Sequence, residues 1–251
     1  MVFAVVFYLG MLAGSLLAVG AGALMVQAGF EQWEQANVLQ DVPVATSNAV
    51  AVGEASVEGT VRAEASPLTV PVGDQRCVVY ELTVEDSTDV QPVYENRESV
   101  SFTVDDGEGR VRVAPGEMTF DLSDDRRESF EFKSYDEVPE RARQFHGEHD
   151  LPDRGMRRDR EFEYEYVRPG DEVYAYGQVT LDDQREATAD EKAVTLAAGE
   201  QGFISDKSRE RLLRERRFAL AKSVGKGVVV GTVGLAGFLW LSGIAQLFLG
   251  A

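Results

Sequence analysis

One thiol, Cys77, and two imidazoles, His146 and His149, are the only soft nucleophile and the only nitrogen ligands in the 251 residues. Cys77 lies in the apolar run RCVVYEL, where a cysteine behaves as a small buried hydrophobe. A membrane hydrolase using Cys77 with one of the histidines is the enzymatic alternative. His146 and His149 stand three apart, with Asp150 and Asp153 beyond, a spacing that suits one helix face. They fall at a helix end without a third ligand fixed by spacing, and the HExxH pattern of zinc proteases is absent. Asp105 to Gly109 (DDGEG) has the composition of a calcium loop but not its twelve positions, and reads as a hairpin turn. These residues give no catalytic, cofactor-binding or metal set, and no cofactor is expected.

The remaining chemistry is charge. Arg154, Arg157, Arg158 and Arg160 cluster in Glu148 to Arg160, a stretch without periodicity that reads as a mobile, solvated surface loop and, as the alternative, a partner site. A second basic run, Lys207 to Lys226, holds 8 basic and 2 acidic residues, whereas Glu31 to Asp206 holds 41 acidic and 17 basic. A domain that acidic repels phosphate backbones, so nucleic acid is not an expected partner. With 5 lysines against 20 arginines, the surface is of the kind that stays soluble in concentrated salt, which points to a halophilic source.

The elements that hold these residues are bounded by two uncharged stretches. Val2 to Phe30 lacks a charge and the basic start of a secretory signal, so it reads as a retained transmembrane helix over 2–30. The chain is uncharged again from Gly227, which predicts a second span over 227–250, entered from a basic juxtamembrane helix over 207–226 with Ser205 as its cap and Leu212, Leu213 and Leu220 along one side. Gly10 with Gly14, and Gly227 with Gly231, repeat at a spacing that lets helices approach closely; a single such pair is equally explained by the abundance of glycine in spanning helices. The two spans are expected to pack together, and Glu31 to Gln40 to continue the first helix.

Between them, over 42–206, alternating apolar runs predict strands at Val57 to Ala63, Arg76 to Asp86, Glu98 to Val104, Arg110 to Ala114, Glu117 to Leu122, Ser129 to Lys133, Glu161 to Val167 and Glu172 to Leu181. DDGEG and Arg168 to Asp171 (RPGD) supply tight turns between antiparallel neighbours, and Glu137 to Gly147 reads as one helix. The expected class is a mainly β soluble domain, a small barrel or sandwich of OB-like kind with one helix, between two transmembrane helices.

Taken in order, GEASVEGTVRA, CVVY at Cys77 to Tyr80, SFTVDDGEGRVRVAP, YVRPGDEVYAYGQV and GFISDKS resemble the GIDE domain, the region between the two membrane helices of mitochondrial RING-type ubiquitin ligases. A RING finger needs about eight Cys and His ligands. This sequence stops at Ala251 with one Cys and two His, so the resemblance is to the middle domain without the finger. It implies a non-catalytic, membrane-anchored interaction or assembly module, with a RING-less relative or scaffold subunit of a ubiquitin-type ligase as the alternative. Expected partners are membrane lipid and a protein partner or a second copy of the chain. The basic run places the domain in the cytoplasm of a cell-membrane protein, although the ligases it resembles hold theirs in a non-cytosolic compartment.

Overall fold

The computed structural model describes residues 2–42, 44–87, 91–133, 140–149, 151, 159–182 and 191–242. The chain divides into two units, Val42–Ser208 and the pair Met1–Asp41 with Arg209–Ala251.

In the first unit, period-two patterning produces β1 (Gly53–Ala63), β2 (Leu68–Thr69), β3 (Arg76–Cys77), β4 (Val79–Asp86), β5 (Tyr94–Ser99), β6 (Phe102–Asp105), β7 (Arg110–Val113), β8 (Thr119–Phe120) and β9 (Arg127–Phe132). Helix α2 (Glu140–Glu148) follows, then β10 (Arg160–Val167), β11 (Glu172–Leu181), β12 (Glu191–Ala197) and β13 (Phe203–Ser205). Five strands close a barrel in the order β1-β6-β7-β12-β11, with β11 returning to β1. Within this ring only β7 and β12 run parallel, which gives the Greek-key arrangement of an OB-like barrel. Val57, Val61, Phe102, Val104, Val111, Val113, Ala175 and Leu196 fill its interior. Gly177 sits where β11 changes partner from β13 to β12, and a Cβ there would collide with the carbonyl of Ala197.

A second sheet, β5-β4-β10-β9, is antiparallel throughout and is inserted into two connections of the barrel. Its inner face carries Tyr80, Leu82, Val84, Phe162, Tyr164 and Tyr166, covered by Val70, Val72, Ala142, Phe145 and Leu151. The expected strand Glu98 to Val104 is therefore two strands in two sheets, broken at Val100 and Ser101, where the chain crosses between them. RPGD does form a turn, with the Asp171 amide donating to the Arg168 carbonyl at 3.2 Å and Gly170 at φ 93, yet it links β10 to β11 in different sheets rather than paired neighbours. DDGEG joins β6 to β7 as an antiparallel hairpin, as expected.

The second unit is two helices, α1 (Val2–Asp41) and α3 (Arg209–Leu241), both long and apolar enough to cross a membrane. Helix α1 continues unbroken past Phe30, and α3 runs from the basic segment into the apolar one without interruption. They pack against each other through small residues: a Cβ on Gly22 would stand 2.6 Å from the Gly231 amide, and one on Gly234 2.9 Å from Ala18 and the Ser15 carbonyl. Gly227 and Gly231 thus lie at the contact, whereas Gly10 and Gly14 have nothing within 4 Å among the described residues. The first-span pair is corrected to Gly22 with Ala18 and Ser15, because the helix face is set by the partner's glycines and not by the nearest GxxxG. Ser205 does not cap α3; it ends β13, donates to the Asp121 carbonyl at 2.6 Å and accepts from the Lys207 amide at 3.1 Å, and the helix begins only at Arg209.

Candidate interaction site

The chemical candidates are consumed by the fold. Cys77 is fully buried beneath the second sheet, its thiol 3.9 Å from the Leu68 carbonyl, and burial aided by the Glu98 charge pushes its pKa up to about 12. A thiol held protonated in a closed core is no nucleophile, which removes the Cys77 hydrolase. His149 is packed on Phe145 at 4.2 Å between ring centroids and on Tyr94 at 5.2 Å, with Nδ1 3.4 Å from the Tyr94 hydroxyl. His146 lies in the last turn of α2. Among the described residues no three His, Cys, Asp or Glu side chains gather as a metal site. In the DDGEG turn, Asp106 accepts from the amides of Ser47, Glu108 and Gly109, as a turn carboxylate does.

Arg160 is the clearest correction at residue level. It opens β10 opposite Asp86 and is buried, bonding the carboxylate through Nε at 2.7 Å and Nη2 at 3.0 Å. This fork-on-fork pair is an internal clamp, not part of a solvated cluster. Arg154, Arg157, Arg158, Asp150 and Asp153 lie outside the described residues.

Two surfaces remain. On the barrel, β1, β6, β7 and β12 present the face with which OB-type barrels bind oligonucleotides. Here Arg112 pairs with Glu64 at 3.1 Å and Asp182 at 3.0 Å, and Asp105 takes Arg110 at 3.4 Å and Arg62 at 3.6 Å. These arginines are neutralised, and the outward positions Thr103, Asp105, Arg110, Arg112 and Thr195 include no aromatic platform for a base.

The outward face of the second sheet differs. Register places Glu161 of β10 directly between Glu85 of β4 and Glu131 of β9, all three exposed. At the other end of the face Glu163 and Glu165 are held by Arg127, and Glu81 lies 3.8 Å from Arg97. Glu85, Glu161 and Glu131 have no ion pair among the described residues. Like charges directly opposite on neighbouring strands destabilise a sheet by roughly 0.2–1 kcal/mol per pair. The inner face is polar only where it is satisfied: Glu128 accepts from Tyr164 at 2.6 Å, Tyr166 at 2.8 Å and Gln75 at 2.8 Å. Burial and this carboxylate raise the pKa of both phenols. None of this row was singled out in the sequence, where EFEYEYV showed an alternation and not which glutamates meet across strands.

A closed β barrel with an inserted sheet, in a chain with two helices long and apolar enough to cross a membrane, defines the class. The GIDE family model, described as E3 Ubiquitin ligase, matches residues 81–240, and the chain belongs to the GIDE family. Comparisons with curated proteins and with solved structures return no match.

Proposed function

We propose that the chain is a membrane-anchored docking module, not catalytic by itself, that presents the Glu85–Glu161–Glu131 row to a basic segment of a protein partner. The observation that carries this reading is the register of that row: three like charges face each other across adjacent strands, a placement that costs stability and that no cation of the described fold offsets. A partner's lysines or arginines would supply the missing charge. The basic segment at the start of α3 supports a cytoplasmic domain in a cell membrane, since basic residues beside a span favour that side.

The test is a photocrosslinking side chain in place of Glu161, in native membranes, beside a control at Glu172, which is exposed on β11 of the barrel. A discrete, salt-sensitive adduct at position 161 and none at 172 supports the proposal. Equal adducts at both, or none at either, overturns it. A second reading, favoured by the family's description, is a scaffold subunit of a ubiquitin-type ligase. In that case the adduct is a zinc-containing protein, and the membranes transfer ubiquitin-like protein only when both chains are present.

A further inference from the structure

Helix α3 carries an uninterrupted exposed face whose chemistry changes along its length. Arg214, Phe218, Lys222 and Lys226 follow one another at spacings of four, and Val229, Val233 and Trp240 extend the same side. The opposite side turns to α1 through Gly227 and Gly234. Phe218 is 70% exposed among cations, and Val229, Val233 and Trp240 are 63%, 68% and 75% exposed below them. Arg214, Lys222 and Lys226 have no ion pair among the described residues. A Cβ on Gly227 would stand 2.9 Å from Val26, so Lys226 is level with a part of α1 that is still uncharged. Lys226, with Lys222 one turn above it, therefore stands at the end of the uncharged stretch, where hydrocarbon gives way to headgroups, and lysine stems reach outward from such a level. From Lys226 to Trp240 the helix rises about 21 Å, enough to line one leaflet of a hydrocarbon layer of roughly 30 Å.

We infer that this face is a docking surface for an anionic phospholipid. The headgroup phosphate is held by Lys222 and Lys226 below the Phe218 ring, Arg214 about 18 Å above Lys226 adds longer-range attraction, and an acyl chain lies along Val229 and Val233. The amphiphile is selected by the continuity of the stripe: a soluble anion uses only its upper half, and a lipid of zero net charge such as phosphatidylcholine, whose choline cation offsets its phosphate, gains little there. The two ammonium groups, one helical turn apart, meet the phosphate as point charges.

The inference rests on the membrane-anchored reading, and the experiment separates the two. The full chain carries Val229→Trp as reporter, with Trp33→Phe and Trp240→Phe, in bilayers containing brominated phosphatidylglycerol or brominated phosphatidylcholine. Quenching should favour phosphatidylglycerol by about five-fold in about 0.1 M salt and approach parity near 1 M, where the screening length is about 3 Å. Arg214→Gln with Lys222→Gln and Lys226→Gln should abolish the preference, and Arg214→Lys with Lys222→Arg and Lys226→Arg should keep it. Equal quenching by both lipids in the parent at low salt, or a preference that survives the glutamine changes, overturns this proposal alone. Quenching by neither lipid overturns the membrane anchor and this proposal with it.

Discussion

Side chains that look reactive in this chain are structural, and those that look solvated include its most buried charge. The Asp86–Arg160 pair lies at 0% and 3% side-chain exposure, so removing one partner strands an ion in the core. Asp86→Ala should destabilise the domain by about 3–5 kcal/mol, and Asp86→Leu with Arg160→Met by much less, as read from urea unfolding of the full chain in detergent. A double variant as unstable as the single one would show that the pair is not the cause. Protonation sets a second expectation. Burial first, and then Glu128 or Glu98, raises the pKa of Tyr80, Tyr164 and Tyr166, and burial with Glu54 raises Tyr176 to about 12. A raised folded pKa favours the protonated form, so this contribution is fully present below the unfolded value near 10 and is lost as pH climbs above it. On the acid side, amide and Arg110 bonds hold Asp105 low, and Asp106 stays low through Ser47, Glu108 and Gly109 although burial opposes it. That stability is present above the usual aspartate range and is lost below it. A melting-temperature profile flat between about pH 5 and 9 and falling on both sides is expected; a profile still rising past pH 10 would contradict it. The misplacement of Arg160 has a plain cause: it sits among three other arginines in sequence, and its partner is 74 positions away.

At the level of elements, close approach of α1 and α3 gives a geometric test. A Cβ at Gly237 would lie 4.0 Å from the Ser15 Cβ, within disulfide range. In a Cys77→Ala background, Ser15→Cys with Gly237→Cys should therefore crosslink on mild oxidation in membranes. Gly10→Cys with Gly237→Cys should not, because Gly10 has no neighbour within 4 Å among the described residues. Crosslinking of both pairs, or neither, would contradict the helix contact. Strands β10 and β11 were legible from sequence within a residue, whereas the expected strand Arg76 to Asp86 is divided at Val78 into β3 and β4, which lie in different sheets. Four strands were not legible; β2 and β13 are only two and three residues long, too short for a period to show. β12 is EKAVTLA, whose Glu, Lys, Ala and Leu favour helix as readily as strand, and it is fixed by parallel pairing to β7 about 80 residues earlier, a contact without a local signal. β5, YENRES, is polar because its outward side meets no core, so the apolar period never shows. The helical caps failed for a related reason: Ser205 has the right type for an N-cap, but β8 and β11 claim its strand first. The docking row depends on register between three strands, which composition does not carry.

For the whole molecule, charge is segregated, with the deficit of cations in the β unit and their excess at the start of α3. The formal net charge of −18 makes the folded chain repel itself, and multimolar salt shortens the screening length to about 3 Å or less. The melting temperature of the full chain should therefore rise between about 0.1 M and 3 M KCl; a fall would contradict self-repulsion as a dominant cost. Sidedness can be read from Glu108→Cys at the exposed tip of the β6–β7 turn, again with Cys77→Ala. A cytoplasmic domain predicts labelling by impermeant maleimide only after the cells are opened, and labelling of intact cells would reverse the orientation. The claim that joins these scales is that the glutamate row is kept for a partner at the expense of the fold. Replacing Glu85, Glu161 and Glu131 together by Gln, and measuring the melting temperature in about 0.1 M KCl alongside the yield of a photoadduct from neighbouring Thr83, tests it most directly. The account predicts a higher melting temperature with the adduct lost; a lower melting temperature, or an adduct of undiminished yield, would contradict it.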